Sequence, residues 1–100
     1  MVHAPHLIDL EVAQALRRYL MADRLPADRC REALLYFLRL PLLRHAHDGL
    51  LLRIWEMRHA VTAYDAAYLA LAESLGAPLL TTDAALVERR EHSARIEVLR

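Results

Sequence analysis

Apolar positions recur at helical spacing from Leu7 to about Ala22, where Leu7, Leu10, Ala13, Leu16 and Leu20 form one stripe behind Pro5, with Asp9 and Glu11 in the early turns. A second helix is predicted from near Pro26 to about Leu38. Its core face is Cys30, Leu34, Phe37 and Leu38, its outer face is Arg29, Arg31 and Glu32, and Pro41 ends it. "PLLRHAH" has the length and apolar content of a strand, and "DGLLLRIWEMRHA" returns to helical spacing through Leu51, Ile54, Trp55 and Arg58. In "VTAYDAAYLALAESLG" the Thr62 and Asp65 pair imitates a capping box, the alanines Ala63, Ala66, Ala67, Ala70 and Ala72 favour helix, and Gly76 supplies a left-handed stop. After Pro78, "LLTT" reads as a brief buried strand, "DAALVERR" as a short helix opened by Asp83, and "RIEVL" as a final strand. Helices alternating with strands in this way predict an α/β sandwich around a parallel sheet. "MVHA" leaves at most the tail of a strand before the first helix, so the sheet is short of strands for so many helices.

Composition sharpens this picture. One hundred residues, 56% of them hydrophobic, suffice for a single domain with a core, and two glycines and four prolines leave no linker or low-complexity stretch. Thirteen basic residues balance thirteen acidic ones, so any nucleic-acid contact must be local and not the work of a uniformly basic surface. The single cysteine, Cys30, has no partner for an internal disulfide or a thiolate metal site, reads as a buried helix residue, and suits a reducing compartment. No stretch approaches the roughly 18 apolar residues of a membrane span, and the start lacks a signal-peptide pattern; the cytoplasm is the expected location, with no membrane partner.

In a parallel α/β sheet, ligands gather beyond the carboxyl ends of the strands. Asp83 follows "PLLTT", Asp65 opens the helix leading into that strand, and Glu11 lies in the helix after "MVHA". Three carboxylates without a thiolate suit Mg²⁺ or Mn²⁺, ions that serve phosphodiester hydrolysis. Each acid also has a plainer reading: Asp65 as a capping-box carboxylate, Asp83 as an N-cap, Glu11 as a first-turn acid complementing the helix dipole or pairing with an arginine. Zinc at His45-x-His47 lacks further ligands at a recognisable spacing, and the same holds for His3 and His6. Arg17 and Arg18 could meet a phosphate or form a solvated helix face, and Tyr64, Tyr68 and Trp55 read as packing residues before base-stacking platforms. No Ser-His-Asp order, Gly-rich phosphate loop or zinc-finger spacing is present.

"APHLIDLEVAQALRR", "RIWEMRHAVTAYDAAYLALAESLGAPLLTTDAAL" and the order between them resemble the PIN-domain ribonucleases, in particular the VapC-type toxins of toxin-antitoxin pairs. The likeness runs from His3 to the last strand. It implies a PIN-like three-layer sandwich over residues 1–100, a Mg²⁺-dependent (or Mn²⁺-dependent) endoribonuclease acting on structured RNA, a small cognate antitoxin as partner, and a homodimer. Three of the family's four acidic metal positions fall on Glu11, Asp65 and Asp83, and Thr81 or Thr82 matches a supporting hydroxyl.

The fourth acid, an aspartate closing an earlier strand, has no counterpart. By resemblance that strand is the central one in the order 3-2-1-4-5, so the expected domain is a partial one, N-terminally truncated, with strands 2 and 4 about 10 Å apart. The resemblance leaves three accounts, a rearranged sheet, a strand donated by a partner chain, or a fragment or mis-set start, of which the last is the expected one, and the loss is expected to weaken metal binding. The rival to the enzyme is a non-catalytic or degenerate PIN module that binds an antitoxin or self-associates. A remnant with no function is the third reading.

Overall fold

The computed structural model describes residues 2–81 and 92–98, which fall into two compact units, Met1–His45 and Ala46–Arg100. Unit 1 consists of β1 (Val2–Pro5), α1 (Ile8–Met21), α2 (Ala27–Arg39) and β2 (Leu42–His45). β1 and β2 run parallel in a register that pairs Val2 with Leu42 and Pro5 with His45, and the ladder continues as the His6 amide donates to the His45 carbonyl at 2.8 Å. A parallel pair needs a crossover, and here the crossover is a helical hairpin.

The turn of that hairpin is set by Asp23, a non-glycine residue at φ 55°. The Asp23 amide donates to the Leu20 carbonyl at 3.1 Å and the Arg24 amide to the Tyr19 carbonyl at 2.9 Å. These two bonds make a Schellman motif, which consumes the last carbonyls of α1; a short polar side chain tolerates the left-handed position that glycine usually fills. α2 stops as expected before Pro41, whose ring pushes Leu40 to an extended φ of −65° and ψ of 142°.

The α1 stripe is met in part. Leu7, Leu16 and Leu20 are half-buried as predicted, but Leu10 is 75% exposed and Ala13 is exposed, while Ile8, Val12 and Ala15 are half-buried beside them. Two overlapping apolar stripes share this helix, and periodicity fixes their spacing but not which one faces inward. In α2, Cys30 is buried and Leu34 and Phe37 are half-buried, so Leu38, one position past that row, is 67% exposed instead of in the core. The Cys30 thiol, free and buried as expected, lies 3.7 Å from the Leu16 carbonyl.

Unit 2 contains a 3₁₀ turn (Asp48–Leu50), α3 (Leu51–Glu56), α4 (Ala63–Leu75), β3 (Leu79–Thr81) and β4 (Ile96–Val98). α3 is shorter than predicted because amides from Met57 onward bond three residues back, Met57 to Ile54 and Arg58 to Trp55, each at 3.1 Å. Ile54 and Met57 are buried, but Trp55, expected to pack, is 64% exposed, with the Arg58 guanidinium 4.7 Å from its ring centroid and donating to its carbonyl. Tyr64 is likewise exposed, again against the packing expectation.

α4 is the centre of this unit. Ala66, Ala67, Leu69, Ala70, Leu71 and Ala72 are all buried, so the helix is covered nearly all round, and its alanines leave little side-chain bulk between it and its neighbours. Gly76, at φ 62°, ends it in a second Schellman motif, with its amide on the Glu73 carbonyl and that of Ala77 on Ala72. β3 and β4 pair in parallel, Leu79 opposite Ile96. The molecule is thus α/β with parallel strand pairs, and the neighbours implied by the 3-2 and 4-5 parts of the strand order are those observed. The predicted "DAALVERR" helix lies outside the described residues.

Candidate functional site

Glu11 stands in the first turn of α1, exposed, where a carboxylate complements the positive helix end, and its amide donates to the Leu7 carbonyl at 3.0 Å. Leu7 offers no side-chain cap, which leaves that end to Asp9 and Glu11. The two acids differ in employment. Asp9 accepts from Arg44 Nε at 2.7 Å, and the Arg44 guanidinium also lies 5.2 Å from the Phe37 ring centroid, so one arginine ties β2 to both helices of unit 1.

Asp65 occupies the equivalent place in unit 2, exposed in the first turn of α4, and its amide donates to Thr62 Oγ1 at 3.1 Å. This is the Thr62 half of the predicted capping box. α4 turns through Gly76 into β3, and a helix that reverses into a strand begins near that strand's carboxyl end. β3 closes at Thr81. Thr82 and Asp83 follow in sequence and lie outside the described residues. Glu11 thus belongs to unit 1 and Asp65 to unit 2, each an exposed carboxylate at the start of a helix.

Among the described residues, no three His, Cys, Asp or Glu side chains form a group that could hold a metal ion. His45 of "HAH" takes another role: its Nε2 lies 2.8 Å from His3 Nδ1 across the β1–β2 pair, a hydrogen bond in which one ring donates to the other. No helix among the described residues is long and apolar enough to cross a membrane.

Sequence reasoning missed the strongest electrostatic arrangement. Glu73 accepts from Arg53 Nε and Nη2, both at 2.9 Å, and from the Ser93 amide at 2.6 Å and hydroxyl at 3.1 Å. The bidentate arginine is the main force holding the Glu73 carboxyl down to about 2; burial opposes it and the Ser93 bonds assist. The same contact raises Arg53. Partners twenty residues away in either direction leave no local spacing to read.

No protein-family model matches the chain. Ribonuclease VapC9 of Mycobacterium tuberculosis is 44% identical to it over 98 residues, covering 98% of this chain and 77% of that protein. The chain belongs to the VapC ribonuclease family. Other VapC relatives agree: Ribonuclease VapC1 of the same organism is 40% identical over 99 residues, covering 98% of this chain and 74% of that protein. Ribonuclease VapC12, also from M. tuberculosis, is 36% identical over 98 residues, covering 98% of this chain and 76% of that protein. A match spanning 98% of this VapC-family chain necessarily includes Glu11, Asp65 and Asp83.

Proposed function

We propose that this chain is an endoribonuclease toxin of a toxin-antitoxin pair, cleaving phosphodiesters of structured RNA, with Glu11, Asp65 and Asp83 as its metal-binding and catalytic carboxylates and Thr81 or Thr82 in support. The observation that carries this reading is the 44% identity to a VapC ribonuclease over nearly the whole chain, with all three acids inside the matched span. The donor chemistry fits a hard divalent cation. Glu11 and Asp65 are exposed carboxylates in first turns, and the only thiol is buried elsewhere. Mg²⁺ in such a site, or Mn²⁺, lowers the pKa of a bound water and neutralises charge on phosphate oxygens. Glu11 and Asp65 both stand exposed in the first turn of their helices, where a carboxylate complements the positive helix end, and Thr62 accepts from the Asp65 amide in the first turn of α4.

The reading extends to a cytoplasmic setting, a small antitoxin and a homodimer. Exposed apolar side chains are what a partner would cover, among them Leu10, Tyr36 and Leu38 in unit 1 and Leu51, Leu52 and Trp55 in unit 2. These side chains also suit the rival module that binds an antitoxin or itself without cutting RNA.

Incubating the purified chain with structured RNA and Mg²⁺, beside Glu11→Gln, Asp65→Asn and Asp83→Asn variants and an EDTA control, separates the two. Cleavage by wild type alone, lost with EDTA, supports the enzyme. Equal cutting by wild type and an Asp65→Asn/Asp83→Asn double variant rejects it.

A further inference from the structure

The Schellman turn after α1 has a chemical consequence. By returning the Arg24 amide to the Tyr19 carbonyl, it folds the chain back over the end of the helix, and a cavity of about 310 Å³ opens there, lined by Ala15, Arg18, Tyr19, Ala22 and Arg24. Ala15 and Ala22 contribute no bulk. What remains is an aromatic ring, 46% exposed, with a guanidinium on either side of it in sequence.

Neither Arg18 nor Arg24 makes an ion pair among the described residues, whereas Arg29, Arg44 and Arg53 do. The cavity thus gathers two cations with no ion pair among the described residues. At this end of α1 the Arg18, Tyr19 and Leu20 carbonyls accept from the Ala22, Arg24 and Asp23 amides, and Asp23 is not part of the lining. Guanidinium forks match phosphate oxygens, and the Tyr19 ring in the same lining offers a stacking face for a base.

We propose that this cavity is a binding subsite for an unpaired stretch of RNA, with Arg18 and Arg24 contacting successive phosphates and Tyr19 stacking on a base. The inference rests on the ribonuclease reading and gives it a contact outside the acidic residues. An acidic peptide would satisfy the arginines but has no use for the ring, so RNA is the better match to the full lining. Bases splayed out of loops are what such ring-and-guanidinium sites recognise in structured RNA.

The test is equilibrium binding of a fluorescent oligouridylate, read by anisotropy without divalent metal so that cleavage plays no part, across a salt series. An Arg18→Ala/Arg24→Ala variant should bind roughly tenfold to a hundredfold more weakly. Its salt dependence should flatten by about 1.4 in log–log slope, since each phosphate contact on a single strand contributes about 0.7. Tyr19→Ala should weaken binding about tenfold with the slope kept. Arg18→Lys/Arg24→Lys should keep the slope while losing affinity, because lysine retains charge without the fork. All three side chains are exposed, and unchanged circular dichroism confirms that the variants fold. If the double alanine variant matches wild type in affinity and slope, the subsite is overturned while the cleavage assay still stands. If oligoglutamate, and not oligouridylate, binds in an Arg18- and Arg24-dependent manner, the cavity is a peptide site and the proposal fails. Wild type that neither binds nor cuts RNA removes both readings.

Discussion

Glutamine at position 73 would keep the shape of the glutamate but remove the charge on which three parts of unit 2 converge. Glu73 receives a bidentate arginine from α3 and two bonds from Ser93 ahead of β4, and its side chain is only 12% exposed. Its carboxyl lies at about 2 in the folded chain, against an ordinary 4.5. At about 1.36 kcal/mol per unit, that gap corresponds to roughly 3 kcal/mol of stability; because Arg53 is 35% exposed and partly screened, about 2–3 kcal/mol is the better figure. A depressed carboxyl contributes in full above its unfolded value and loses the contribution as pH falls through the folded one. Wild type should therefore hold this stability above about pH 5 and shed it between about 4.5 and about 2. Urea unfolding followed by circular dichroism across this range provides the measurement. Glu73→Gln should be about 2–3 kcal/mol less stable at neutral pH and should lack this part of the acid-induced decline. A loss under about 0.5 kcal/mol, the size of an exposed pair, with the acid decline intact, would refute the reasoning.

Two further substitutions follow from the helix ends. Gly76→Ala should cost about 1 kcal/mol through its φ of 62° alone, since an added Cβ there meets nothing within 4 Å, while Asp23→Gly should gain up to about 1 kcal/mol in thermal unfolding. Thr62→Ala should lower stability by about 1 kcal/mol through loss of the bond from the Asp65 amide, yet leave RNA cleavage well below the melting temperature within about twofold, unlike Asp65→Asn.

Local chemistry was the legible part of this chain. Gly76 and Pro41 end their helices as their ring and hydrogen-only side chains require, Thr62 caps α4, and Cys30 is buried. The α1 stripe was legible at Leu7, Leu16 and Leu20 but not between them, because Leu10 and Ala13 compete with the equally periodic Ile8, Val12 and Ala15 and the choice depends on what packs beside the helix. Asp23 gave no cue, as nothing in its neighbours marks an aspartate for a left-handed turn. Contacts that need a register or a distant partner, His3 with His45 and Glu73 with Arg53, arise only once strands and helices are placed. For the candidate site, the residue types and their helix-start positions were readable at Glu11 and Asp65; the cavity at Arg18, Tyr19 and Arg24 was not, since it depends on the turn after α1.

The parallel pairings also order events in time. β1 must find a partner forty residues on, Val2 with Leu42, whereas β3 closes over seventeen, Leu79 with Ile96. The longer closure carries an extra entropic cost of about 0.8 kcal/mol, modest but sufficient to slow it severalfold. α4, with its local bonds and buried alanines, is the natural nucleus for unit 2, and the β3–β4 pair closes early beside it. In unit 1 the α1–α2 hairpin must form before β1 and β2 can meet, so their ladder is the late step of folding.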